Sequence, residues 1–326
     1  MTKDYMNRGC IEVRLADTPL TFDIIITMYD KQSYVKLRIA DYHTNIIYIE
    51  RTGDVIYDVG IINAKEEGLT DRGLLNVKDI IDFANSVSIE DVRDTLARQI
   101  QYNSAIARIG IENNYGANIG SVLLKTYGND VKTRAKAMAA AASDARMSGC
   151  ELPVIINSGS GNQGITASVP VIEYAKELNA DDDKLYRALV ISNLITIHQK
   201  TSIGSLSAFC GAVCAGCGSG TGIAYLHGGG YPEIAHTLVN AIAIVSGIVC
   251  DGAKPSCAAK IAVSVDAGIL GYYMYKEGQQ FRGGDGIVAK GVENTIENIG
   301  HLGKNGMKET DKEIIRLMLN KNIDCI

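Results

Sequence analysis

The sequence predicts an α+β protein: a small antiparallel sheet first, and a larger, mostly helical body after it. Three observations lead there. Residues 10–60 contain five short β-branched runs, CIEVRL, FDIIITMY, SYVKLRIA, NIIYIER and DVIYDV, partly alternating and punctuated by DTP, DKQ, DYHT and TGD. From Leu69 onward the apolar spacing becomes that of helices. The chain also has no Trp and only 4 Phe, with runs such as AKAMAAAASDA and AGCGSGTGIA, so its helices are expected to approach closely through small residues. The expected division is a β region over residues 1–66 and a helical domain over residues 67–326.

Composition narrows the class. A net charge of -5 with no block of basic residues argues against a nucleic-acid surface. The opening MTKDYMNRGC lacks the apolar core of a signal peptide, and passages such as AIAIVSGIVC fall short of the roughly 18 apolar residues a spanning helix needs. A cytoplasmic protein with neither membrane nor nucleic-acid partner is expected. An open sheet has edges that need covering, so a homo-oligomer or a second chain is expected as well.

Taken in order, the turn between the third and fourth strand runs carries His43, Thr44 and Asn45, where a lone histidine is either solvated or a substrate contact. Residues 75–87 form a short amphipathic helix, and Ser88 opens a longer one over 89–113, with Asp91 placed for a capping-box-like start. Residues 129–147 read as an Ala-rich helix ending at Gly149, and Cys150 just beyond it reads as a packing residue.

The loop Asn157-Ser-Gly-Ser-Gly-Asn-Gln-Gly164 then joins an apolar segment, LPVII, to a helix expected to start near Thr166. Its backbone N–H groups can converge on an anion, and Ser158, Ser160, Asn162 and Gln163 add side-chain hydrogen bonds. An ordinary turn with a cap is the alternative. A phosphate loop is excluded, because the GK[ST] ending is missing.

A helix over 181–198 has aspartates in its first turn, where the dipole favours them, and brings in His198, either a secondary site candidate or a satisfied core histidine. Helices over 231–249 and 256–275 start beside Pro232 and Pro255, so Cys250 and Cys257 flank a turn containing Lys254. That lysine either neutralises a bound anion or is solvated. Helices near 288–301 and 308–319 close the chain.

Five of the 8 cysteines, Cys210, Cys214, Cys217, Cys250 and Cys257, lie within residues 191–261. In a chain kept reduced, such crowding points to metal ligands rather than disulfides. Two subsets compete. Cys210, Cys214 and Cys217 give CxxxCxxC, the spacing of radical S-adenosylmethionine enzymes, but Gly216 stands where an aromatic residue is usual, and the same offsets form an ordinary packing stripe on a helix. Cys210, Cys250 and Cys257 each lie beside a glycine or proline break, at element ends open to a cofactor.

Here the sequence resembles a known family. AFCG, the CDGAK and PSCAAK segments, the stretch SDARMSGCELPVIINSGSGNQGITASVPV and the stretch DYHTNIIYIE, in consistent order from about residue 10 to about residue 318, are similar to the L-cysteine desulfidase family, related to the alpha portion of iron-sulfur L-serine dehydratases. The resemblance implies that Cys210, Cys250 and Cys257 hold a 4Fe-4S cluster, and that one iron keeps an open position as a Lewis acid. It implies β-elimination from a small L-amino acid, L-cysteine to pyruvate, ammonia and sulfide, with an L-serine dehydratase alpha-type chain or a non-catalytic cluster- or zinc-binding remnant as alternatives. Substrate contacts would come from His43, Thr44, Asn45, Ser158, Ser160, Asn162, Gln163 and Lys254. Cys325 is either an incidental cysteine or a thiolate that shields the open iron.

One feature of the family is not matched. Its members carry an N-terminal segment with a Gly-Cys-Thr-Glu-Pro motif whose cysteine handles the α-proton. Cys10, in Gly9-Cys10-Ile11-Glu12-Val13, runs into strand-like sequence and aligns downstream of that motif, so it is not assigned as the base. No general base is found in these residues; a separate chain, truncation or decay of the gene would each account for it.

Overall fold

The computed structural model describes residues 2–16, 18, 20, 22–41, 44–60, 70–204 and 206–319, which fall into two compact units, residues 1–71 with 310–326 and residues 72–309. His43 and Cys325 lie outside the described residues.

The first unit begins with a short helix, α1 (Thr2–Asn7), followed by four strands, β1 (Asp23–Asp30), β2 (Ser33–Ala40), β3 (Ile46–Arg51) and β4 (Asp54–Asp58). They pair in sequence order, all antiparallel, as the β-branched runs predict. The β3–β4 turn is the two-residue hairpin that matches strand twist: Thr52 and Gly53 both have positive φ, 50° and 92°. Side chains reinforce the ladder. Arg38 on β2 grips Asp23 on β1 through two bonds of 2.9 and 2.6 Å, and Tyr34 and Tyr48 both donate to Glu50. The run CIEVRL is not a strand: residues 10–16 are irregular and exposed, because β1 has its ladder partner on one side only and nothing in the first run pairs with its free edge.

The second unit is helical, with α2 (Val77–Ser86), α3 (Ile89–Glu112), α4 (Ile119–Tyr127), α5 (Val131–Met147), α6 (Gly161–Glu177), α7 (Asp182–Ile203), α8 (Gly211–Leu226), α9 (Tyr231–Val245), α10 (Ser256–Lys276) and α11 (Val292–His301). A π-helical turn (Leu302–Gly306) leads into α12 (Lys308–Leu319), which runs on into the residues grouped with the sheet. Three N-caps follow the expected chemistry: Asn76, Asp130 and Asp181 accept from the N–H of Asp79, Thr133 and Lys184 at 2.9, 2.7 and 2.8 Å. The start of α3 does not use the capping box. The Ser88 side chain makes no capping bond, and Asp91 N–H donates to the Ser88 carbonyl instead.

Two further differences matter for the site. Helix α4 is absent from the sequence reading because it has only nine residues, too few to show a period. Helix α6 begins five residues before Thr166, which places Asn162 and Gln163 in its first turn and Pro170 in its interior. The glycines that suggested a loop serve a close approach. A Cβ on Gly164 would lie 1.9 Å from the Ile155 carbonyl oxygen, so the helix can lie on that segment only with glycine there.

Helix α8 is the centre of this unit. It packs against α6, α7, α9 and α10, and every residue from Ala212 to Ala224 is buried. A helix apolar and small all round can be enclosed on all sides, and its neighbours then come to backbone distance. A Cβ on Gly218 would meet Thr196 Oγ1 at 2.3 Å, and a Cβ on Gly268 of α10 would lie 2.4 Å from the Gly216 carbonyl oxygen. Backbone atoms cannot step aside as a side chain can. Gly268→Val is therefore expected to destabilise the protein by about 3 kcal/mol, the upper end of ordinary overpacking. Gly247→Ala, where no atom lies within 4 Å of the added carbon, is expected to leave the urea midpoint unchanged, and equal midpoints for the two variants would refute the close packing.

Candidate functional site

The buried rod of α8 ends at Cys210, its N-cap residue, with φ -66° and ψ 121°. Just before it, Phe209 forms an isolated antiparallel bridge with Val249: Cys250 N–H donates to the Ala208 carbonyl at 2.6 Å, and Cys210 N–H to the Ile248 carbonyl at 3.2 Å. Two cysteines 40 residues apart in sequence are thus held across one pair of backbone bonds. Seven residues further on, Cys257 sits in the first turn of α10. Its sulfur approaches the Gly252 carbonyl at 3.4 Å and accepts from the Lys254 N–H at 3.5 Å. All three are free thiols.

Their electrostatics are linked. The Cys210 thiol donates toward Cys250, which together with burial pushes Cys210 far up, while the same hydrogen bond brings Cys250 down to about 6. Lys260 of α10 is the shared cation. Its ammonium donates to Asp251 and, at 2.9 Å, to the Val249 carbonyl; burial works against its charge, but Asp251 and the nearby Cys210 and Cys257 outweigh that and hold it above the ordinary lysine value. Lys254 reaches the site through its backbone only, and its side chain is exposed.

The loop beside the cysteines is a tight hairpin. Asn157 and Ser160 exchange N–H···O bonds of 3.1 and 3.0 Å around Ser158 and Gly159, both with positive φ, 48° and 80°. A chain of amides anchors it: Gln99 and Asn193 exchange bonds of 3.0 and 2.8 Å, Asn157 donates to Asn193 Oδ1 at 2.9 Å, and Ser158 Oγ donates to Asn157 at 2.9 Å. Ser160 stands at the N-cap of α6 but its hydroxyl makes no capping bond. Asn162 Oδ1 accepts from Arg146 at 3.2 Å. Gln163 is buried, its amide carbonyl has no partner, and its side chain lies where a Cβ on Gly211 would be, 2.6 Å from that position.

Ser158, Ser160, Asn162, Gln163, Cys210, Cys250 and Cys257 therefore all belong to the helical unit, with Gln163 lying directly against the residue after Cys210. Thr44 and Asn45 belong to the sheet unit, where Asn45 Nδ2 closes the β2–β3 turn on the Ala40 carbonyl at 2.9 Å. His198 is satisfied by Glu293 at 2.7 Å. Cys214 and Cys217 are fully enclosed in α8, and burial pushes the first up to about 11 and the second well up, so both are packing residues. Two residues escaped the sequence reading, Arg146 and Lys260. Each stands on a helix, where a basic side chain ordinarily signals a solvated face.

The donor set can be tested against a metal. Among the described residues no three His, Cys, Asp or Glu side chains close round a single point as one ion requires. A polynuclear iron-sulfur cluster is wider than an ion and binds each thiolate through a different iron. Three free sulfurs at element ends, around a shared cation and beside a glycine-floored cradle, fit such a group better than a lone ion.

Residues 24–316 match the family described as serine dehydratase alpha chain. The chain belongs to that family. It is 74% identical over 319 residues to a UPF0597 protein of Desulfitobacterium hafniense, covering 98% of this chain and 74% of that protein. It is 51% identical to a UPF0597 protein of Lachnoclostridium phytofermentans and 43% identical to one of Treponema denticola, covering 98% of this chain in each case and 76% and 75% of those proteins. No solved structure matches. Membership of the serine dehydratase alpha chain family supports an amino-acid lyase role. Among the described residues no helix is long and apolar enough to cross a membrane.

The thiol electrostatics make one check simple. In the metal-free chain, alkylation of Cys250 by iodoacetamide is expected to be near its maximum at pH 7 and to fall as pH drops through about 6, because only the thiolate reacts. Cys210→Ala removes the donor and should move that midpoint upward, while Cys214 and Cys217 stay unmodified until the protein unfolds. Peptide mapping by mass spectrometry reads all three.

Proposed function

We propose that this chain is the cluster-holding part of an iron-sulfur β-eliminating lyase for a small L-amino acid, L-cysteine ahead of L-serine. The observation that carries the reading is the Phe209–Val249 bridge that sets Cys210 beside Cys250 at the N-terminal end of α8, with Lys260 as a cation near both and near Cys257. The preference for L-cysteine rests on the resemblance of the SDARM-to-SVPV stretch and the cysteine segments to desulfidases; the family match itself extends only to the serine dehydratase alpha chain.

In this reading the three cysteines are the ligands of a 4Fe-4S cluster, which when bound supplies a Lewis acid where charge builds up on the departing β-substituent. The chain's own residues do the rest. Lys260 offsets the negative charge of the thiolates in a half-buried setting. Ser158, Ser160, Asn162 and Gln163 line the approach at the start of α6, where unpaired backbone N–H groups and the helix dipole favour an anion. Lys254 stands at the rim of the same approach. The α-proton base is proposed to come from a second chain or from sequence beyond these residues, and the sheet edges suit a homo-oligomer or such a partner.

Anaerobic reconstitution with iron and sulfide, followed by assay for pyruvate with sulfide or ammonia, tests this directly. Cys210→Ala, Cys250→Ala and Cys257→Ala are each expected to lose iron and turnover. Cys214→Ala and Cys217→Ala are expected to keep both, at a stability loss of roughly 1 kcal/mol each for the cavity left. Iron bound by the trio without any turnover, even with a candidate partner added, would favour a non-catalytic cluster-binding chain. Zinc in place of iron would favour a zinc-binding remnant.

A further inference from the structure

Arg146, near the end of α5, is half-buried, and among the described residues no carboxylate pairs with it. Its one hydrogen bond is from Nη1 to Asn162 Oδ1, and its guanidinium lies across the first turn of α6: a Cβ on Gly161 would be 2.4 Å from its Nε. Of the three cysteines it feels the Cys257 sulfur electrostatically. Gln163 lies correspondingly across the start of α8, over Gly211, with its amide carbonyl buried and unpartnered. A half-buried cation without an anion and a buried acceptor without a donor stand at opposite helix starts of the same site. Both vacancies are expensive to leave unfilled.

We infer that Arg146 is the anchor for the substrate's α-carboxylate and Gln163 the acceptor for its α-ammonium, so that the site selects a zwitterionic α-amino acid over its amide and over the corresponding hydroxy acid. This deepens the reading given under Proposed function and rests on it for the site's purpose. A guanidinium recognises a carboxylate through two parallel N–H···O bonds, which a lysine cannot reproduce. Gly161 and Gly211 are what let the two side chains lie flat on the helix starts, since any larger residue at either position would displace them. Gln163 can only accept through its free oxygen, which suits an ammonium and not a second carboxylate.

The test is calorimetric binding, with L-alanine, L-alaninamide and L-lactate as probes, since none has a β-leaving group. The anaerobically reconstituted protein is expected to bind L-alanine at least about tenfold, and up to about a hundredfold, more tightly than L-alaninamide, the range of a charge-assisted pair. Arg146→Gln should erase that preference at unchanged iron content and melting temperature, and Gln163→Leu should erase the preference over L-lactate. Should Arg146→Gln fail to fold, Arg146→Lys keeps the charge and decides: it is expected to retain only part of the preference. Absence of the preference in the unaltered protein, or its survival intact in either Arg146 variant, would overturn the inference. Arg146-dependent binding without elimination products would leave it standing while removing the lyase reading. Turnover with carboxylate selectivity indifferent to Arg146 would do the reverse.

Discussion

The constraint on which the helical unit depends is the full enclosure of α8 by α6, α7, α9 and α10. A helix with four neighbours has no solvated face, so it cannot carry long polar side chains, and each neighbour must come close enough to leave no void. The sequence GAVCAGCGSGTGIAYL meets both requirements with glycine, alanine, serine, threonine and two cysteines. Its N-terminal end is therefore fixed in position to the tolerance of backbone packing. That end is where Cys210 stands, and the polar groups around it inherit the same rigidity.

Charge distribution completes the picture. The site gathers three sulfurs, Asp251, Lys260 and Arg146 within a half-buried setting, where interactions are less screened than at the surface. Lys260 already has an anion in Asp251; among the described residues Arg146 has none. The Cys210–Cys250 contact divides two chemically identical thiols into one held protonated and one readily ionised.

Much of this was legible in the residues. The period-2 runs from 22 to 59 located the four strands, and the apolar spacing placed the helices that the caps Asn76, Asp130 and Asp181 begin. What failed did so for physical reasons. CIEVRL has strand composition but no ladder partner. Gly161 and Gly164 suggested a loop because a sequence does not distinguish glycine chosen for backbone freedom from glycine chosen for close contact, here with Arg146 and Val154 and with Ile155. Arg146 and Lys260 were passed over because a basic residue's significance lies in whether tertiary structure gives it an anion. The cysteines were the reverse case: their crowding pointed to a site, and the helical spacing of Cys214 and Cys217 already allowed the packing role that their enclosure in α8 gives them.

The Phe209–Val249 bridge ties the start of α8 to the segment leading into α10 by two hydrogen bonds in an otherwise non-sheet region. Cross-links of this kind couple fluctuations: if either side of the bridge peels away, Cys210 and Cys250 separate at once, and a cluster held as proposed would be released in a single cooperative event. Oxidative damage to such a centre would then show as abrupt loss of the whole cofactor instead of a gradual series of partly dismantled forms.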